Sequence, residues 1–242
     1  TVTMEPNDQR WLLALDLPAS VPGIGHLTPD YQLHADSPVT RRIHYSVISY
    51  PNYTTLDLSP AERRRALQLP AGANPRATAL AREWRRRLHS GPEIVAAALH
   101  YFHDQPFVYT MTPPPLQGDP VDDFLFDTRR GFCEHYSSSF TWLMRAAGIP
   151  ARVVTGYQGG EVNPLGHYLI VRQSDAHAWS EVWLKGQGWV RIDPTAAVAP
   201  QRIEMGFDPV AQPDGQPVLF HGTAPAFLTR LWPAMSYGWD AV

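Results

Sequence analysis

Hydrophobic and polar positions change rhythm along the chain. In the first seventy residues, apolar side chains come in short runs separated by Pro and Gly: Trp11–Leu17, Tyr31–Ala35 and Arg42–Tyr50. In the last of these, Ile43, Tyr45 and Val47 alternate with His44 and Ser46. A period of two predicts half-buried strands, here forming a small antiparallel sheet. From Pro75 the period lengthens. Leu80, Trp84 and Leu88 recur at helical spacing over Pro75–Leu88, and Pro92–His103 continues in the same way, with Pro92 suited to a first helical turn. Phe107–Thr110 reads as a short strand and Pro113–Asp119 as a loop. A further helix is predicted from Cys133 to Ala147, ended by Gly148 with Pro150 beyond. Strands are then predicted at Ala151–Tyr157, Tyr168–Arg172, Ala176–Leu184 and Gly188–Ile192.

Helices followed by antiparallel strands predict an α+β fold. Three segments are expected: a β-rich stretch over 1–72, a core over 73–200, and a tail over 201–242. The tail is proline-rich and then aromatic (Phe227, Trp232, Tyr237, Trp239). It reads either as a strap packed on the core or as a lead-in toward a membrane helix.

Composition narrows the picture. With 242 residues, 44% hydrophobic and 18% charged, the chain suits one large globular domain or one domain with a small companion. A net charge of −3 gives no footprint for nucleic acid. The cluster Arg82, Arg85, Arg86, Arg87 falls on a predicted helix and reads as a solvated face. The acidic residues Asp119, Asp122, Asp123 and Asp127 likewise read as a solvated loop. No Asp-rich ligand series of the calcium-loop kind occurs, so no metal and no cofactor is expected. No run of eighteen apolar residues occurs, and a start at Thr1 suggests a piece of a longer protein.

The single cysteine, Cys133, changes the picture most. It opens a predicted helix, where unpaired backbone N–H groups and the helix dipole favour a thiolate and can cradle an oxyanion. Gly131 just before it permits close approach of a substrate backbone. A buried structural cysteine is the bland alternative, and the partners decide between them. Alternation over Ala176–Leu184 puts His177, Trp179, Glu181 and Trp183 on one face. Lys185-Gly186-Gln187 reads as a three-residue hairpin loop, which sets Trp179 opposite Asp193. Asp193 then becomes the diagonal neighbour of His177, roughly 7–8 Å away at the backbone. A two-residue loop would separate them. His135 and His167 are rivals. His135 lies two residues from Cys133 on one helix, where side chains do not face each other, and His167 opens a strand after a glycine. Cys133, His177 and Asp193 therefore read as nucleophile, base and orienting acid.

The motifs G-F-C-E-H-Y, L-M-R-A-A-G-I-P-A-R-V-V-T-G-Y, H-A-W-S-E-V-W-L and G-W-V-R-I-D-P-T closely resemble the transglutaminase-like superfamily, in its order, over roughly residues 75–200. The resemblance implies a papain-like α+β core with Cys133 on a helix and His177 and Asp193 on neighbouring strands. The opening M-E-P-N-D-Q-R-W-L-L-A-L-D-L-P and the aromatic tail resemble the extracytoplasmic domain of bacterial multispanning membrane proteins. That implies a periplasmic location and a membrane-anchored parent.

Three functions remain in view. The first is acyl transfer from a glutamine side-chain amide to an amine through a thioester, with protein or peptide partners supplying both. The second is thiol hydrolysis of a peptide or cell-wall amide, and the third is an inert binding scaffold. Tyr109 is a candidate second oxyanion donor, and Trp179 and Trp183 could line an acyl-donor channel.

Overall fold

The computed structural model describes residues 1–200; the tail beyond lies outside the described residues, and with it the choice between strap and membrane lead-in. The chain divides into two compact units, the first spanning Thr1–Thr54 and the second beginning at Thr55.

The first unit holds seven short strands: β1 (Val2–Met4), β2 (Trp11–Leu12), β3 (Leu17–Pro18), β4 (Gly25–Leu27), β5 (Leu33–Ala35), β6 (Ile43–Tyr45) and β7 (Ser49–Tyr50). They form three small antiparallel sheets, β1–β6, β2–β5–β4 and β3–β7, rather than one. The predicted run Trp11–Leu17 is broken because Asp16 takes a positive φ of 22°. Met4, Leu12, Leu33, Ala35, Val39 and Tyr45 are buried together. The Tyr45 hydroxyl satisfies both polar groups of Leu13, accepting from its N–H at 2.7 Å and donating to its C=O at 2.8 Å.

The second unit carries helices α1 (Pro60–Arg65), α2 (Pro75–Arg87) and α3 (Gly91–Asp104), then β8 (Val108–Tyr109), α4 (Pro120–Asp122) running into a π-helical turn (Asp123–Thr128), β9 (Arg130–Gly131) and α5 (Cys133–Ala146). The strands β10 (Ala151–Tyr157), β11 (Glu161–Asn163), β12 (Tyr168–Ile170), β13 (Ala176–Leu184) and β14 (Gly188–Ile192) follow. Residues 55–72, grouped by sequence with the β-rich segment, bond into this unit. The Ala66 C=O accepts from the Ala151 N–H at 3.0 Å, and the Gln68 C=O from Arg145 at 2.9 Å.

Local chemistry explains where the helices begin. Ser59 with Glu62, and Ser90 with Glu93, form reciprocal capping boxes ahead of α1 and α3. Helix α2 lacks such a cap, since Asn74 sits in the left-handed region at φ 47°. Its first amides are capped from a distance instead: Asp122 accepts from the Arg76 N–H at 2.8 Å and the Ala77 N–H at 2.7 Å. In return the Asn74 side chain accepts from the Val121 N–H at 2.8 Å. The acidic stretch is therefore not a solvated loop. Asp122 is buried, Asp119 accepts from the Asn74 N–H, Asp123 from the Gln117 N–H, and Asp127 pairs with Arg76. Anionic groups at a helix start stabilise it through the orphan amides and the dipole.

The central sheet runs β10–β13–β14, antiparallel throughout. One face of β13 (Ala178, Ser180, Val182, Leu184) is buried, and α5 lies against it. Phe140, Leu143, Met144, Ala151, Val182 and Ile192 share one core with Ile94, Leu99 and Phe102 of α3. This is the α+β architecture expected.

Candidate active site

Cys133 enters through a tight approach. Strands β8 and β9 pair in parallel, with Tyr109 opposite Gly131. Arg129 turns the chain at φ 52°, and α5 begins two residues after Gly131 with Cys133 buried, 8% exposed as a residue. The constraint on Gly131 is internal rather than a substrate's approach. A Cβ there would meet His135 Cγ at 2.6 Å and Phe124 Cε2 at 2.9 Å. His135 is thereby accounted for: its Nδ1 accepts from the Phe132 N–H at 3.4 Å, and its ring packs against Phe132. Burial also pushes its pKa down. His167 lies at φ 51° in the turn joining β11 and β12.

The loop Lys185-Gly186-Gln187 sets the register of the β13–β14 hairpin. Ser180 faces Ile192 and Leu184 faces Gly188, the pairing that carries Asp193 past the end of β14 to the level of Trp179. His177 Nε2 meets Asp193 Oδ2 at 2.6 Å, with side chains 0% and 3% exposed. The other carboxylate oxygen, Oδ1, accepts from the Thr195 N–H at 3.0 Å, so Asp193 also caps the following turn. A carboxylate held at both oxygens fixes the imidazole tautomer, leaving Nδ1 to face the chemistry.

That Nδ1 is buried and has no partner of strict hydrogen-bond geometry among the described residues, yet Cys133 acts on the ring. Burial alone pushes the imidazole pKa down; the Asp193 hydrogen bond, then hydrogen bonding to Cys133 and the charges of both groups, outweigh it and raise it to about 9. The three groups read from sequence thus bear on one another around a single buried ring.

The remaining candidates separate. Trp179 stacks beside His177 with ring centroids 6.4 Å apart, and the Arg191 guanidinium lies 4.1 Å from the centre of the indole. Gly156 faces His177 across the ladder, and a Cβ there would meet Trp179 Cη2 at 2.9 Å. Trp183 pairs with Trp189 near the hairpin loop, roughly 20 Å along the strand from His177. A channel wall at the site cannot use it. Tyr109 is buried beside Gly131, with its hydroxyl 3.8 Å from Met111 Sδ. Sequence reasoning missed Gly156 and Arg191. The signal for Gly156, its register opposite His177, emerges only once β10 is paired with β13, whereas Arg191 faces Glu181 on β14 and is the diagonal neighbour of Trp179.

The transglutaminase-like superfamily matches residues 78–194, and the TgpA N-terminal domain matches residues 1–56. The crystallised periplasmic domain of TgpA from Pseudomonas aeruginosa, bound to ethylmercury, is 50% identical, covers 84% of this chain and 73% of that one, and superposes with a TM-score of 0.80. The chain belongs to the transglutaminase-like superfamily. Its likeness to a periplasmic domain also supports the expected periplasmic location, and a membrane-protein parent is consistent with it. Among curated proteins, a protein-glutamine gamma-glutamyltransferase of P. aeruginosa is 46% identical over 250 residues, covering 99% of this chain and 37% of that protein. The uncharacterized protein YebA of Bacillus subtilis is 38% identical over 138 residues, covering 54% of this chain and 19% of that protein. The chain therefore spans well under half the length of these relatives. Among the described residues, no helix is long and apolar enough to cross a membrane.

Proposed function

We propose that this transglutaminase-like domain is a cysteine acyltransferase acting on glutamine side-chain amides, with Cys133 as nucleophile, His177 as acid and base, and Asp193 as the group that orients the imidazole. The reading rests chiefly on the buried 2.6 Å contact between His177 and Asp193, whose ring also responds to Cys133. The Cys133 thiolate attacks the amide carbon, and the carbonyl electrons move to oxygen. That oxyanion is received by the Cys133 N–H at the start of α5 and by the Tyr109 hydroxyl. His177, protonated at Nδ1, gives its proton to the departing nitrogen; ammonia leaves and a thioester remains. A primary amine then attacks the thioester while His177 takes a proton back. The tetrahedral intermediate collapses to an isopeptide bond and frees the sulfur. Asp193 stays ionised and stabilises the imidazolium at each stage.

The relative named as a protein-glutamine gamma-glutamyltransferase supports this choice of acyl donor. The decisive experiment incubates the domain with a glutamine peptide and a labelled primary amine and weighs the products. Amine incorporation with loss of ammonia, abolished in Cys133→Ala, is the expected result. Peptide-bond cleavage alone would move the domain to the hydrolases. No covalent product from either would leave the scaffold reading.

A further inference from the structure

The layer between α5 and β13 is apolar over most of its length and polar at one end. Leu143, Met144, Val182 and Leu184 fill the far part, whereas Ser137, Thr141 and Ser180, all buried, meet in the part nearer Cys133. Their bonds form a chain. Thr141 Oγ1 lies 3.0 Å from Ser180 Oγ, the Ser180 hydroxyl donates to the Ser137 C=O at 3.0 Å, and the Ser137 hydroxyl donates to the Cys133 C=O at 2.8 Å. Each hydroxyl has one proton to give. Ser180 gives its proton to Ser137, so the Thr141 proton must serve Ser180, and the three donors run in one direction toward Cys133.

We propose that this hydroxyl chain is a positioning device which fixes the register of the nucleophile's helix against the strand that carries the base; it rests on the reading of Cys133 and His177 as a reacting pair. Apolar side chains hold two layers together through buried area and volume, which tolerate small shifts better than directional bonds do. Ser180 stands three residues from His177 along β13, about 10 Å, and Ser137 stands about one helical turn, ~6 Å, from Cys133. Both lever arms are short, so a slip at Ser180 reaches the sulfur and the imidazole almost undiminished. A misplacement of ~1 Å can cost about 100-fold in rate. Ser180 and His177 alternate in side-chain direction along β13, so the bond to α5 fixes the strand that carries the imidazole without engaging the ring itself. Ser137, Thr141 and Ser180 are positioning residues only, since none is given a role on reacting atoms.

The test compares Ser180→Ala and Thr141→Val with Val182→Ala, an apolar neighbour on the same face of the same strand. Three readouts are taken: kcat and KM for amine incorporation, the alkylation rate of Cys133 by iodoacetamide, and the pH at which the His177 ring signals titrate by NMR. Ser180→Ala is expected to lower kcat and the alkylation rate about 10-fold, with KM within twofold, and to move the His177 midpoint downward from about 9. Thr141→Val, which keeps the Ser180–Ser137 bond, should show the same pattern more weakly, and it carries the test if Ser180→Ala does not fold. Val182→Ala should lose stability yet keep kcat and the His177 midpoint. Hydroxyl variants that leave the midpoint and alkylation rate unchanged, or losses that merely track stability in all three variants, would overturn the proposal. Alkylation and NMR need no substrate, so failure of the acyl-transfer reading would show as absent amine incorporation in the unaltered domain and would leave this test intact.

Discussion

His177 and Asp193 meet at 2.6 Å with 0% and 3% of their side chains exposed, and the acid's second oxygen is taken by the Thr195 amide. The carboxylate cannot swing away without breaking the turn it caps. Orientation of the imidazole is thus built into the backbone at the end of β14.

Replacing that acid separates orientation from packing. In Asp193→Asn the shape is kept but the charge is lost, and an amide NH₂ can face Nε2 and favour the wrong tautomer. Amine incorporation should fall by ~10²- to 10⁴-fold, as for orienting acids elsewhere. The His177 titration midpoint should drop from about 9 toward the ordinary imidazole range. NMR of the ring protons checks the second effect independently of substrate. A variant with normal activity would remove Asp193 from the mechanism.

The raised His177 pKa also fixes how stability depends on pH. The folded state holds this proton more tightly than the unfolded chain, so the stabilisation is fully present below pH ~6.5 and disappears as pH rises through about 9. The shift corresponds to on the order of 3 kcal/mol. Urea unfolding at pH 6 and at pH 9.5 should show the wild-type domain weakening on that order, while His177→Ala loses most of the difference. Equal pH dependence in both proteins would assign the slope to other groups.

Much of the site was legible because its determinants are local. The loop Lys185-Gly186-Gln187 is short enough to dictate register, and the observed ladder pairs Trp183 with Trp189 as that length requires. Gly148, at φ 79°, ends the helix that Cys133 begins. What escaped notice depends on partners distant in sequence. Asp122 caps α2 across 45 residues, and nothing in an acidic run distinguishes an exposed carboxylate from one aimed at a helix start. Trp183 shares a face and a residue type with Trp179, yet only one of them stands next to His177. Helix α1 was hidden in a proline-rich stretch, although Ser59 and Glu62 carry its capping box.

The trans cap predicts a stability effect without a catalytic one. Asp122→Ala removes acceptors for the Arg76 and Ala77 amides, and the buried setting puts the cost at the upper end of cap deletions, about 2 kcal/mol. Arg85→Ala, on the exposed face of the same helix, should cost within about 0.5 kcal/mol. Thermal melts of the two variants test the contrast. Activity of Asp122→Ala well below its melting temperature should match the wild type, because the hydrogen bonds of the cap run to Asn74, Arg76, Ala77 and Val121 and not to Cys133, His177 or Asp193.

Gly156 links the fold to the chemistry through space alone. It faces His177 across β10 and β13, and the Trp179 indole leans over it, so an added Cβ would meet Cη2 at 2.9 Å. The indole cannot retreat freely, because the Arg191 guanidinium stands 4.1 Å from its centre. In Gly156→Ala the ring must therefore rotate or slide, and the imidazole stacked beside it at 6.4 Å follows. Overpacking of this kind costs ~1–3 kcal/mol of stability. Activity should fall further than that loss explains, by about 10-fold at a temperature where the variant is fully folded, since the shift is delivered to the catalytic ring. The double variant Gly156→Ala/Trp179→Leu frees the space under the new methyl. It should recover stability relative to Gly156→Ala and match the activity of Trp179→Leu alone; activity still well below that level would deny that the displaced indole transmits the effect.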